Sequence, residues 1–232
     1  MNSSTSSAQI FFVFNHLDDW QTLANAAPEG SEVVVLDGAT DGLAQIAAHL
    51  AGRQGALDAI HILSHGQPGQ LQLGSLVLDQ AALEEREAVL AQIGRALGDN
   101  GDILLYGCDI AAGAQGQSFV QAVSRLTGAD VAASDNPTGS SAAGGDWVME
   151  SQTGVVEANT EWAKHSLFST VLANQTINLT GAVSSGSLTS GTFSLGGINF
   201  AVTSGSGFTI TQVDGGILFE ETAADGDFSL TI

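Results

Sequence analysis

Two short stretches hold the residues best suited to chemistry: Ser64-His65-Gly66 and Gly107-Cys108-Asp109, with His65 and Cys108 43 positions apart (108 − 65). Cys108 is the only cysteine, which excludes an internal disulfide and a cysteine-based zinc site. A thiol is a useful nucleophile only as thiolate, and a neighbouring imidazole and a helix N-terminus both favour that form. The glycines beside both residues let a peptide backbone approach and leave N–H groups to donate to a developing oxyanion. Taken singly, a cysteine after an apolar strand reads as packing and a histidine at a strand end as a capped polar residue. At matching ends of neighbouring strands they read as a nucleophile and its partner. His61 and His65 mimic a helical zinc pair, but Ile62 stands where a zincin needs Glu and the segment reads as strand, so no metal is assigned. Asp225-Gly226-Asp227 lacks the further ligands of a calcium loop. No cofactor is expected.

The elements that must position these residues alternate β and α. IFFVF (10–14), EVVVL (32–36), AIHILS (59–64), DILLY (102–106) and 130–133 read as buried strands. Between them lie a short helix over 18–27, a helix capped by Thr40 or Asp41 and running to Leu50, a long helix from Asp79 to about Leu97, and a helix over 116–126. LQLGSLVL forms a hairpin about Gly74-Ser75, and Trp147 sits in a late edge strand, WVME. Apolar strands joined by crossover helices predict an α/β fold with a parallel sheet covered on both faces. Such sheets gather catalytic groups outside the C-terminal ends of their strands. If the third and fourth strands pair directly, His65 and Cys108 leave the same edge about 5 Å apart at the backbone. Asp18, Asp19 and Asp135 come after the first and fifth strands at that edge, where they either line a substrate pocket or serve as ordinary turn acids. Asp109 reads as a solvated turn carboxylate.

Composition narrows the function further. Five basic against 25 acidic residues give a net charge of −20, which opposes binding to nucleic acid or an anionic membrane surface. No apolar run approaches the ~20 residues that cross a bilayer, and no signal peptide is visible in the opening residues. The composition changes near residue 172: all five basic residues precede it, and 173–232 holds 10 Gly and 17 Ser or Thr. The expected division is 1–171, an α/β domain, and 172–232, a Gly/Ser/Thr-rich β domain or the start of a β-repeat region, with antiparallel strands near 192–195, 198–202, 208–210 and 228–232.

The SHG and YGCD motifs, in this order of elements, resemble the His-Gly and Cys motifs of the caspase and gingipain-like cysteine peptidases (clan CD). More narrowly, DAIHILSHGQPGQLQLGS, LLYGCDIAAGAQGQSFVQAVSRLTGADVAASDNPTG and GGDW resemble the caspase-like domain near the N-terminus of very large bacterial adhesin-like surface proteins, over about 10–159. The resemblance implies a three-layer αβα sandwich of caspase-haemoglobinase type, and a secreted or cell-surface location. It implies Cys108 as nucleophile, His65 as the general acid that protonates the leaving amine, and the N–H groups of Gly66 and Cys108 as the oxyanion hole. Tyr106-Gly107 stand where caspases often have Gln-Ala, a departure that bears on substrate choice. It leaves two functions: a cysteine endopeptidase acting on polypeptide, its own chain included, or an inactive caspase-like interaction module of a surface adhesin. No basic residue stands just after a strand at the active edge, so a pocket for Asp is not expected; Asp18, Asp19 and Asp135 instead favour Arg or Lys before the cleaved bond, with Lys164 the self-cleavage candidate.

Overall fold

The computed structural model of the protein describes residues 8–172 and, beyond them, the backbone of five strands. The chain forms two compact units, 1–173 and 174–232. In the first, β1 (Gln9–Phe14), β2 (Glu32–Leu36), β3 (Leu57–Leu63), β7 (Leu97–Tyr106), β8 (Asp130–Ala133) and β9 (Ser151–Gln152) make one six-stranded sheet in the order β2-β1-β3-β7-β8-β9. All its pairings are parallel except β8 with β9. Between β3 and β7 the chain adds β4 (Gly66–Gln67), β5 (Gln70–Leu73) and β6 (Leu76–Leu78), a small antiparallel sheet. The fold is thus α/β with a mostly parallel mixed sheet.

Register assigns the two faces, because in-register partners in parallel strands point the same way. Ile10, Phe12, Ile60, Ile62, Ile103 and Leu105 share one face. Leu43 of α2 (Gly42–His49), Leu90 and Ile93 of α4 (Glu87–Gly94) and Val123 of α5 (Gly113–Thr127) line a small apolar cavity there with Ile62, Ile103 and Leu105. The opposite face carries Phe11, His61 and Tyr106, against which Trp162 of the 3₁₀ turn Glu161–His165 packs. Helix α1 (Trp20–Ala26) lies against β1 and that turn.

Several elements differ from expectation for visible reasons. Asp41 and Asp79 do cap helices, accepting the amides of Ala44 and Ala82. The long helix is two, α3 (Gln80–Glu85) and α4: the backbone leaves helical geometry at Arg86, whose guanidinium pairs with Asp41 at 3.1 Å, and α3 then packs on β6 and α5 while α4 meets α2 and α5. The edge strand is β9, beyond WVME. Trp147 and Met149 are buried without strand pairing, the indole held among Tyr106, Trp162 and Phe168.

In the second unit β10 (Gly191–Leu195) pairs with β11 (Ile198–Thr203), β11 with β14 (Ser229–Thr231), and β12 (Phe208–Val213) with β13 (Gly216–Glu221), all antiparallel. Asp225-Gly226-Asp227 lies outside the described residues.

Candidate active site

Strands β3 and β7 are direct neighbours, with Leu63 opposite Tyr106, and the pairing continues as Ser64 N–H donates to Tyr106 O at 3.0 Å. Ser64-His65-Gly66 and Gly107-Cys108 therefore emerge together from the C-terminal edge. They touch: a methyl group at Gly66 would meet Cys108 O at 2.7 Å and Ile110 Cγ1 at 2.6 Å. Only glycine allows this approach.

The thiol of Cys108 is covered rather than open to a groove. Its residue is 1% exposed. The covering chain is the loop after β8 together with the end of the first unit. Thr138 N–H donates to Sγ at 3.2 Å, the thiol donates to Thr138 O at 3.6 Å, and Thr138 Oγ1 donates to Gly107 O at 3.0 Å. Burial pushes the thiol up to about 11, with the Asp109 carboxylate adding to the rise and backbone hydrogen bonds from Thr138 and Leu172 opposing it.

The last described residues of this unit make an isolated antiparallel bridge in this place. Ser140 N–H donates to Thr170 O and Leu172 N–H to Thr138 O, both at 2.8 Å, and Gly139 is bridged antiparallel to Val171. A side chain at Gly139, whose φ is +142°, would run into Thr170 O. The carbonyl oxygen of Leu172 then accepts two N–H groups at once, from Gly66 at 3.3 Å and from Cys108 at 3.4 Å. These are the two amides assigned to the oxyanion hole. Leu172, where the composition changes, is 1% exposed and lies within the first unit.

His65 is half-buried, and its backbone carbonyl accepts Gln72 N–H at 2.9 Å, which ties it to β5. Its ring centroid lies 5.2 Å from that of His16. Ser64 Oγ donates to Gln72 O and stands 3.5 Å from His16 Nε2. Burial, then the positive charge of a protonated His65, bring His16 down to about 4, so it is a neutral imidazole at physiological pH. His16 was missed in the sequence, although it stands just past the end of β1 as His65 stands just past the end of β3, and the same signal marks both. Thr138 and Leu172 carried no sequence signal, since they act through the main chain.

The three acidic candidates are not brought together. Asp18 and Asp19 are exposed in the turn after β1, where Asp19 has φ +53° and accepts Thr22 Oγ1–H at 2.8 Å. Asp135 is exposed after β8, and its amide donates to Glu150 Oε2. Strands β1 and β8 flank the β3/β7 pair on opposite sides, about three strand spacings or ~14 Å apart. Asp135 does act on Asp109, whose carboxyl is raised by burial first and by Asp135 second. Asp109 itself takes a left-handed turn conformation, φ +59°, and donates its N–H to Asn136 O. Lys164 pairs with Glu161 on the surface at 2.6 Å.

His61 lies in β3, stacked on Phe11 at 4.0 Å between centroids, with Nδ1 3.2 Å from Tyr106 Oη. Among the described residues no three His, Cys, Asp or Glu side chains gather as a metal site, and no helix is long and apolar enough to cross a membrane.

No curated protein matches the sequence. A family model described as a domain of unknown function (DUF4347) matches residues 10–172, the whole run from the first buried strand to the residue whose carbonyl the two amides hold, and the chain belongs to that family.

Proposed function

We propose that residues 10–172 form a cysteine endopeptidase of caspase and gingipain type, with Cys108 as nucleophile and His65 as general acid. One observation carries this reading: two backbone amides, one next to His65 and one of Cys108 itself, converge on a single carbonyl oxygen. Donors aimed at one oxygen beside a nucleophile are what acyl transfer needs, because charge grows on that oxygen in the transition state. The thiol attacks a peptide carbon seated there, its proton passes by way of His65 to the departing amine, and water releases the acyl group from sulfur. Placing this domain in a large bacterial surface protein rests on the motif resemblance.

The second reading is an inactive module on the same scaffold, and the closed thiol favours it. Burial pushes the Cys108 thiol up to about 11, so it is held protonated at neutral pH. Alkylation of the full chain with a peptidyl electrophile, beside Cys108→Ala and His65→Ala, separates the two. Covalent capture at Cys108 that is slowed at least tenfold in His65→Ala is the expected result, at an absolute rate held down by the covered thiol. Capture at the same rate with and without the His65 imidazole would establish the inactive module.

A further inference from the structure

We infer that the protein's own Leu172-Ala173 peptide bond is the substrate held in this site, and that the side-chain seat before the cleaved bond takes leucine rather than a basic or acidic residue. The inference rests on the endopeptidase reading and names its substrate. Three observations carry it.

The first is strand addition. Residues 170–172 lie antiparallel to 138–140, joined by the Ser140-to-Thr170 and Leu172-to-Thr138 hydrogen bonds, which is how an extended peptide adds to an exposed backbone edge. The second is burial. Thr170 and Val171 are less buried, while Leu172 is sealed, so the side chain taken up most fully is the last one before the two amides. The third is the carbonyl. A strap that only packed a leucine would need its side chain buried and its backbone paired once, whereas Leu172 O accepts both the Gly66 and the Cys108 amides. The carbon bearing that oxygen is the carbon the thiol would attack.

The step balances without any co-reactant but water. Sγ bonds to the carbonyl carbon of Leu172 and the carbonyl electrons move to its oxygen, held by the two amides. Collapse breaks the bond to Ala173 N, which leaves as an amine carrying the proton that began on the thiol. Water then supplies hydroxyl to the acyl carbon and a proton to sulfur, leaving Leu172 as a carboxyl terminus. That terminus can stay in the seat, because its antiparallel pairing does not involve the broken bond. The cut falls one residue before the end of the first compact unit, so it would separate residues 1–172 from the β-rich segment that follows.

The test is intact-mass analysis of the full chain incubated under reducing conditions, with Cys108→Ala, Leu172→Asp and Leu172→Met alongside. A parallel assay uses peptides ending in Thr-Val-Leu, Thr-Val-Arg or Thr-Val-Asp before a fluorogenic amide. Fragments 1–172 and 173–232, absent in Cys108→Ala and at least tenfold slower in Leu172→Asp but retained in Leu172→Met, are expected, with the Leu peptide turned over fastest. Cys108-dependent cleavage at another bond, or turnover of the Arg or Asp peptide ahead of the Leu peptide, would overturn the inference and leave the endopeptidase reading standing. An intact chain together with Cys108-dependent turnover of any peptide would do the same. An intact chain with no peptide turnover and no electrophile capture would overturn both.

Discussion

At the scale of single residues, the state of Cys108 depends on what covers it. Its thiol is protonated because it is desolvated, not because a polar partner is lacking: Thr138 offers both an N–H and a carbonyl. Displacing the Leu172 segment should therefore restore ordinary thiol behaviour. Leu172→Asp puts a carboxylate into a sealed apolar seat, which costs more than the backbone hydrogen bonds return, and the segment should leave. Iodoacetamide labelling of Cys108 at pH 8 should then rise roughly tenfold or more over the parent chain, while circular dichroism stays native. Unchanged labelling would mean that the loop at Thr138 alone closes the site. Gly66 is the other point of tight contact. Gly66→Ala forces a methyl group onto Cys108 O and Ile110, so a loss of about 1–3 kcal/mol in denaturant unfolding is expected.

At the scale of elements, the central strand β7 is tied to the chain that follows at two places. Its C-terminal end delivers Cys108. Midway along it Asp102, 1% exposed, accepts the amides of Glu157 and Ala158 through Oδ2 at 2.9 and 2.8 Å, anchoring the chain that leads to Trp162 and on to Leu172. Burial raises its carboxyl, and the two amides oppose that rise. Asp102→Ala leaves both N–H groups without this acceptor, and a loss of about 3 kcal/mol is expected from denaturant melts. Loosening this anchor should also expose the Leu172 segment, so Cys108 labelling should speed up in the same variant. A stability loss without faster labelling would show that the 154–172 return is held by its aromatic contacts instead.

At the scale of the whole molecule, acid should unfold the first unit through buried neutral histidines. His61 is brought down to about 3 by burial and His16 to about 4, whereas in the unfolded chain each titrates near 6.5. Both are depressed, so the unfolded state binds more protons below pH 6.5. Their contribution is therefore complete above that value and is lost as pH falls toward 4 and 3. For His61 alone the loss by pH 5 is about 2 kcal/mol. His61→Phe keeps a ring against Phe11 and removes the titrating group, so its acid midpoint should move to lower pH, read by tryptophan fluorescence. A midpoint at the parent pH would place the acid response elsewhere, His16 first.

The order of elements and the sheet edge were legible because they depend on local patterns. Continuous apolar runs such as IFFVF and AIHILS mark strands buried on both faces, Asp41 and Asp79 mark helix starts, and the residues after each strand mark the edge where loops gather. His65, Cys108 and the Gly66 amide could be named on that basis. The break at Arg86 and the path through Trp147 could not, since both arise from packing between elements distant in sequence. Nor could the closure of the site. Whether a thiol at a strand end is open or covered depends on backbone groups of Thr138 and Leu172, 30 and 64 residues further along, and main-chain hydrogen bonding is the same for every residue type except proline. The α/β alternation and the pairing of a histidine with a cysteine at one sheet edge can be read from local pattern alone. That the chain's own carbonyl lies against the two amides emerges only on folding, because that contact is made by groups that leave no mark on composition or spacing.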